Sequence, residues 1–364
     1  MEFAESPWFL PLAGLLAGLV MGYAARRTHF CTLSALERHW YAADSTGLSS
    51  WILAAAVALM ATQAMIHGGV ADISRSFYLS PLFGVTGAVI GGLAFGFGMA
   101  LVGTCGFGAL VRAGGGSLRS VVVLLVLGLS ALAAQKGLIA QLRVEIVDNL
   151  AIDLAPVKSQ SLGDIASHFA GADLSIAVAV AVATLMLAWA FRDAAFRRSR
   201  GRILTGIVLG LAVAFGWWAT STAAHHAFQP VQIEAASFVV PVGDTIMHFA
   251  TFTGVVPDYG VGLMIGVVLG AALCAWWADD MRWEACDDAR ELSRHMAGGF
   301  LMGTGGVFAM GCTIGQGVSA VSTLALSAPV VMISIALGAR MGLAWMLEGS
   351  IAAAFRRTGH DPAE

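Results

Sequence analysis

Nine long apolar runs separated by short polar stretches set the pattern of this chain. They extend from Trp8 to Ala25, Trp51 to His67, Leu82 to Val102, Ser120 to Ala134, Leu174 to Phe191, Ile203 to Ala219, Val261 to Ala278, Met296 to Met310 and Pro329 to Leu347. At about 1.5 Å of rise per residue, a helix of about 20 residues crosses the hydrocarbon layer of a bilayer. The pattern predicts an all-α integral membrane protein with about nine transmembrane helices. Gln141 to Gly171, mixed in polarity, reads as an external cap of short helices.

Composition agrees and excludes a soluble domain: 58% of the 364 residues are hydrophobic, 12% are charged, and the mean hydropathy is +0.78. The net charge of -3 matters less than where the basic residues fall. Arg26, Arg27, Arg38, Arg112, Arg119, the loop from Arg192 to Arg202 and the loop from Arg282 to Arg294 share one side, while Arg75, Lys136, Arg143 and Lys158 lie on the other. By the positive-inside rule the N-terminus is expected outside and the C-terminus in the cytoplasm. Acidic residues precede the first run and arginines follow it, the reverse of a cleaved signal peptide, so this run is expected to remain as a helix.

Glycine and cysteine then break the apolar pattern twice. In Gly298 to Ser319, glycines crowd toward Cys312, and an offset of 207 residues places Gly298, Gly299, Gly303, Gly305, Cys312 and Gly315 on Gly91, Gly92, Gly96, Gly98, Cys105 and Gly108 without a gap. This is expected to be an internal duplication. The run leading to Cys105 enters from outside and the run leading to Cys312 from inside, so the two copies are expected to be inverted. The predicted organisation is a first repeat with its outside cap over residues 1–172, a connecting helix with a basic cytoplasmic loop over 173–202, and a second, inverted repeat over 203–364. Such repeats bring broken helices to a midplane site, the design of a transporter or channel.

The small-residue stretches after each cysteine, Ala109 to Ser117 and Val318 to Ser327, suit short broken or re-entrant helices. Candidate pathway residues are Cys31, Cys105 and Cys312, with Gly106, Gly108, Gly311 and Gly315 exposing backbone beside them. Gln316 lies one turn beyond Cys312, and Arg340 is an intramembrane cation able to attract an anion. The competing reading is that the glycines serve close helix packing and the cysteines are small core residues. Cys274 reads as a packing residue and Cys286 as incidental. His29 is expected to point away from Cys31 if that segment is helical, and His225, His226 and His248 read as surface histidines. The five cysteines contain no C-x-x-C and read as free thiols. No P-loop is present, and neither a cofactor, a metal nor nucleic acid is expected.

R-T-H-F-C-T ending beside Cys31, G-T-C-G-F-G around Cys105 and G-C-T-I-G-Q-G around Cys312 give the chain, over nearly its whole length, a resemblance to the YeeE/YedE family of sulfur-transport membrane proteins. The resemblance implies uptake of thiosulfate or a related sulfur anion across the bacterial inner membrane, along a path lined by these cysteines. It also implies a cytoplasmic sulfur-carrier protein of the TusA type as receiver. Thiosulfate is a dianion, and three weakly donating thiols cannot offset its desolvation alone; bared backbone N–H groups, helix N-termini and a cation must supply most of it. The alternative is a membrane thiol-disulfide or sulfur-transfer enzyme that uses Cys31, Cys105 and Cys312 covalently. Their wide separation in sequence favours transport.

Overall fold

A computed structural model of the protein describes residues 6–154, 157–226, 231–252 and 257–355. The described part is an all-α membrane protein, with one two-residue antiparallel pairing of Leu82–Phe83 on Ile152–Asp153. Helices α1 (Phe9–Thr28), α2 (Thr32–Tyr41), α3 (Thr46–His67), α4 (Val85–Val102), α5 (Gly106–Gly114) and α6 (Leu118–Lys136) come first. Short elements follow, α7 (Leu138–Arg143), a π turn at Val144–Asp148 and α8 (Leu162–Ala170). After α9 (Ser175–Ala190) and the single turn α10 (Ala194–Arg198) come α11 (Arg200–His226), α12 (Val240–Ala250), α13 (Tyr259–Trp277) and α14 (Ala289–Phe308). A π-wound stretch at Gly315–Ala320 leads to α15 (Ser327–Glu348).

Among the described residues, 7 stretches are helical, long and apolar enough to cross a bilayer; they contain α1, α3, α4, α6, α11, α13 and α15. The two remaining apolar runs fall on α9, which is only 16 residues long, and on α14, whose first turns carry Arg290, Glu291 and Arg294. Outward faces are apolar: Leu12, Leu16 and Val20 form an exposed stripe on α1, and Val121, Leu125 and Leu129 another on α6. At i, i+4 spacing such stripes suit lipid contact.

Glycine decides the inward faces. Gly14, Gly18 and Gly22 of α1 lie on the backbone of α13, whose Gly262, Gly266 and Gly270 reciprocate; a Cβ on Gly14 would come within 2.1 Å of the Tyr259 carbonyl oxygen, and one on Gly262 within 2.0 Å of that of Pro11. With no apolar gain from hiding one greasy helix on another in lipid, this backbone-to-backbone fit supplies the attraction. Partnerships come in matched pairs: α1 with α13 and α11 with α3, α4 with α15 and α14 with α6, while α4 packs on α14 and α1 on α11.

Candidate functional site

Each of the three candidate cysteines stands where one helix stops and a short one begins. α1 ends at His29 in the left-handed region, φ 52°, and Cys31 is extended ahead of α2. α4 ends at Gly103, φ 78°, and Cys105 is the N-cap of α5. α14 ends at Ala309, the chain turns through Met310 and Gly311 at φ 55° and 154°, and Cys312 precedes the π-wound stretch. A helix start leaves backbone N–H groups unpaired, and a side chain at the cap position accepts one of them. Here sulfur takes that part: Cys105 Sγ accepts from Gly108 N at 3.5 Å and Cys312 Sγ from Gly315 N at 3.3 Å.

This cap explains the C-x-x-G motif. A Cβ on Gly108 would lie 2.1 Å from Thr104 Oγ1, and one on Gly315 would lie 2.9 Å from Tyr78 Oη and 3.1 Å from Ser237 Oγ. A hydroxyl occupies the space that a side chain would need at both places. Gly106 has a similar reason, because the Phe238 carbonyl oxygen lies 2.7 Å from its Cβ position.

The breaks adjoin one another. Cys31 Sγ is 3.7 Å from Thr104 Oγ1, and Cys105 Sγ is 4.0 Å from Thr32 Oγ1, which also accepts from Trp51 Nε1 at 3.1 Å. Cys105 has both other candidate thiols, Cys31 and Cys312, among its electrostatic neighbours, together with Thr313. Ser237 and the Phe238 N–H adjoin Cys312. They belong to a buried, non-helical strap that runs between the two C-x-x-G breaks: the Phe238 ring stacks on Phe107 with centroids 4.7 Å apart, and Ser319 Oγ donates to the Ala236 carbonyl at 2.8 Å.

Burial grades along this row. Cys105 and Cys312 are 1% exposed, whereas Cys31 is half-buried and lines a cavity of about 330 Å³ with His29, Ser34, Arg38, Ser50 and Arg202. Arg38 faces Asp44 at 3.7 Å. Hydrogen bonds from Thr46 hold the Asp44 carboxyl below its usual range, so it stays charged at the rim. His29 lines this cavity with Cys31; the helix ends before it, so the helical geometry on which their expected separation depended does not apply.

Other candidates sit differently. Gln316 is fully buried, and its amide is spent on backbone and neighbour: Nε2 donates to the carbonyls of Ala309 and Met310 at 3.0 and 3.1 Å, and Oε1 accepts from Ser327 Oγ at 3.4 Å. Arg340 Nε donates to the Ala354 carbonyl at 2.8 Å, and its guanidinium lies 5.7 Å from the Trp40 ring centre, in a pocket lined by Leu337, Met341, Ala354 and Phe355. All five cysteines are free; Cys274 is packed in α13 as expected. His225 and His226 are exposed, but His248 is buried against Phe249 and Phe252, a correction to its surface assignment. Sequence reasoning missed Tyr78, Ser237, Phe238, Arg38 and Arg202. It also passed over the threonines that adjoin each cysteine in sequence, Thr32, Thr104 and Thr313, whose repetition was a usable signal.

Known proteins bear on this arrangement. The sequence profile of a family described as sulphur transport matches residues 27–341, a region that contains all three breaks. The chain is 26% identical over 345 residues to the thiosulfate transporter TsuA of Spirochaeta thermophila, covering 92% of this chain and 98% of that protein. It is 24% identical over 327 residues to the thiosulfate transporter TsuA of Escherichia coli, covering 84% of this chain and 86% of that protein.

Proposed function

The chain belongs to the sulphur-transport family, and from that premise we propose that it takes up thiosulfate, or a closely related sulfur anion, along the row Cys312, Cys105, Cys31. The observation that carries this reading is the meeting of three helix breaks, far apart in sequence, in one electrostatic neighbourhood with a thiol at each. Lone pairs on Cys105 and Cys312 are engaged by glycine N–H groups, and in this reading each S–H proton is turned to the ligand, that of Cys105 leaving its long contact with Thr32. A thiol whose acceptor side is occupied is also polarised toward donating. It contacts the soft terminal sulfur of the anion without holding it tightly, as stepwise passage requires.

Rising exposure and positive charge give the route a direction. From the sealed Cys312 the ion passes to Cys105, then to Cys31, and leaves through the cavity where Arg38, Arg202 and His29 replace lost hydration. In this reading the cavity is the cytoplasmic mouth, the N-terminus is outside and the C-terminus inside, and the host membrane is the bacterial inner membrane. A TusA-like carrier protein receives the sulfur there. The matched helix partnerships and the shared cysteine caps support two inverted repeats, over 1–172 and 203–364, joined by 173–202. In this reading Arg340, whose partners are Ala354 and Trp40, takes no part in the route.

Uptake of radiolabelled thiosulfate into cells or proteoliposomes tests the proposal. Cys31→Ala, Cys105→Ala and Cys312→Ala are each expected to lower uptake at least about tenfold, the effect of losing a hydrogen bond to an ion. Cys274→Ala and Cys286→Ala are expected to match the unaltered protein. Equal uptake by all five variants would remove the thiols from the mechanism.

A further inference from the structure

Buried side-chain hydroxyls without a hydrogen-bond partner are uncommon in folded proteins, because each forfeits its water and receives nothing in exchange. Two of those found among the described residues belong to the thiol row. Tyr78 Oη, in a residue 2% exposed, and Thr313 Oγ1, in one 0% exposed, have no partner in hydrogen-bond geometry; the nearest groups, Ser237 for Tyr78 and the Cys105 thiol for Thr313, are only weakly engaged. Tyr78 is fixed by aromatic neighbours: its ring lies 4.0 Å from that of Phe77 and edge-on to Trp217 at 6.2 Å, and Trp217 is itself tied to Ser322 by a 2.9 Å hydrogen bond. The held ring aims its hydroxyl at the Cys312 break, 2.9 Å from the Cβ position of Gly315 and 3.5 Å from that of Gly311, with Cys312 and Ser237 among its electrostatic neighbours. Thr313 follows Cys312 in sequence and adjoins Cys105 in space. One orphaned hydroxyl thus stands beside Cys312, and the other between Cys312 and Cys105.

Thiols alone leave half of a thiosulfate ion unattended. The terminal sulfur is soft, but the other end carries three oxygens that share the charge and ask for strong O–H or N–H donors; a thiol is a weak one. We propose that Tyr78 and Thr313 are substrate-contacting residues that donate to the oxygen end of the anion while Cys312 and Cys105 meet its sulfur end. This rests on the thiol route proposed above. The pairing of hard and soft groups at each station selects an ion with both kinds of end over sulfide, which lacks the oxygens, and over sulfate, which lacks the soft sulfur.

Hydroxyls without a well-formed partner allow a clean test, because deleting one removes no hydrogen bond of normal geometry from the resting protein. Tyr78→Phe and Thr313→Val are each expected to raise the half-saturating thiosulfate concentration for uptake about tenfold. Their thermal midpoints in detergent should equal or exceed that of the unaltered protein. Thr313→Ser, which keeps the hydroxyl, should retain uptake. So should Thr62→Val, which deletes a partnerless buried hydroxyl on α3 that belongs to none of the thiol neighbourhoods described above. Unchanged half-saturation in Tyr78→Phe and Thr313→Val, alongside loss in the cysteine variants, would overturn the inference and leave the thiol route standing. A lowered midpoint in either variant would also overturn it, since it would mean that the hydroxyl was holding the fold. Indifference of uptake to the cysteines themselves would instead strike the route on which the inference rests.

Discussion

At the break that carries Cys105, the chain turns on Gly103, and the freed Gly103 carbonyl accepts from Arg112 Nη2 at 3.0 Å on the exposed side of α5. At the break that carries Cys312, the residue 207 positions further on is Met310, a side chain at φ 55°, where the left-handed region costs a non-glycine residue about 1–2 kcal/mol. Among the described residues no arginine hydrogen-bonds to that turn; the buried amide of Gln316 satisfies Ala309 and Met310, and the following helix is wound as a π stretch rather than as the regular α5. The sulfur cap is common to both breaks, and the surroundings decide how the rest is completed. Near the solvent-reaching cavity a glycine and a charged side chain suffice, whereas the sealed break has to satisfy its carbonyls and hold its strained turn from within.

The sharpest way to break this contrast is to make the two short helices alike. Gly317 corresponds to Leu110 under the offset of 207 residues, yet a Cβ there would lie 1.9 Å from the Trp51 ring and 2.8 Å from Met332 Sδ. Trp51 is not free to retreat, because its Nε1 donates to Thr32 beside Cys105. Gly317→Leu is therefore expected to abolish uptake and to reduce the yield of monodisperse protein severely. Gly317→Ala should cost about 1–3 kcal/mol, the usual range for overpacking. Normal uptake and yield from Gly317→Leu would mean that Trp51 is not seated on this helix.

How much of this could be read beforehand follows from the same residues. The apolar runs were legible because each is a local pattern of one-dimensional extent, and the nine predicted runs fall on helices. The C-x-x-G repeat was also legible, since a cap and the N–H it satisfies are only three residues apart. The reason for the glycine was not. It lies in the hydroxyls of Tyr78 and Ser237, which approach Gly315 from positions remote in sequence. The surroundings of His29 turn on where α1 stops, just before that residue, and nothing local in the sequence reveals which carbonyls Gln316 satisfies. Arg340 looked like the anion's counter-charge because an intramembrane cation usually has a role, but its partners, Trp40 and Ala354, come from other parts of the chain.

A milder probe sharpens the difference in how the two turns are completed. Gln316→Leu strands the buried Ala309 carbonyl and the part-buried Met310 carbonyl and loosens the support of Met310, and should lower stability by about 1–3 kcal/mol. Arg112→Leu removes one hydrogen bond that water can replace, and should cost at most about 1 kcal/mol. Thermal midpoints in detergent would rank the two, and an equal fall in both would erase the distinction between a sealed and an open break.

The smallest expected effect concerns the loops that pin the turn after each short helix. Beyond α5, Leu118 N donates to the Glu284 carbonyl at 2.8 Å, and the Glu284 carboxylate accepts from Arg119 Nη2 at 2.6 Å, with Glu291 on the same guanidinium at 3.0 Å. The corresponding turn before α15 is pinned by neutral backbone alone, with Leu326 N on the Gln160 carbonyl at 2.9 Å and Leu162 N on that of Leu324 at 2.8 Å. Only the first pin can titrate. The hydrogen bond and charge of Arg119 hold Glu284 below its ordinary value of 4.5, so the carboxylate's contribution to stability is complete above that value and is lost as the pH falls through the lower, folded one. Glu284→Gln should thus lower the midpoint by only about 1–2 °C near neutral pH, as befits an exposed pair, and the gap should close on acidification. Gln160→Ala should show no such closing, because its pin is a backbone carbonyl that carries no proton to gain. A gap that widens in acid for Glu284→Gln would reverse the sign required of a depressed carboxyl and detach the ionic pin from the Cys105 side of the molecule.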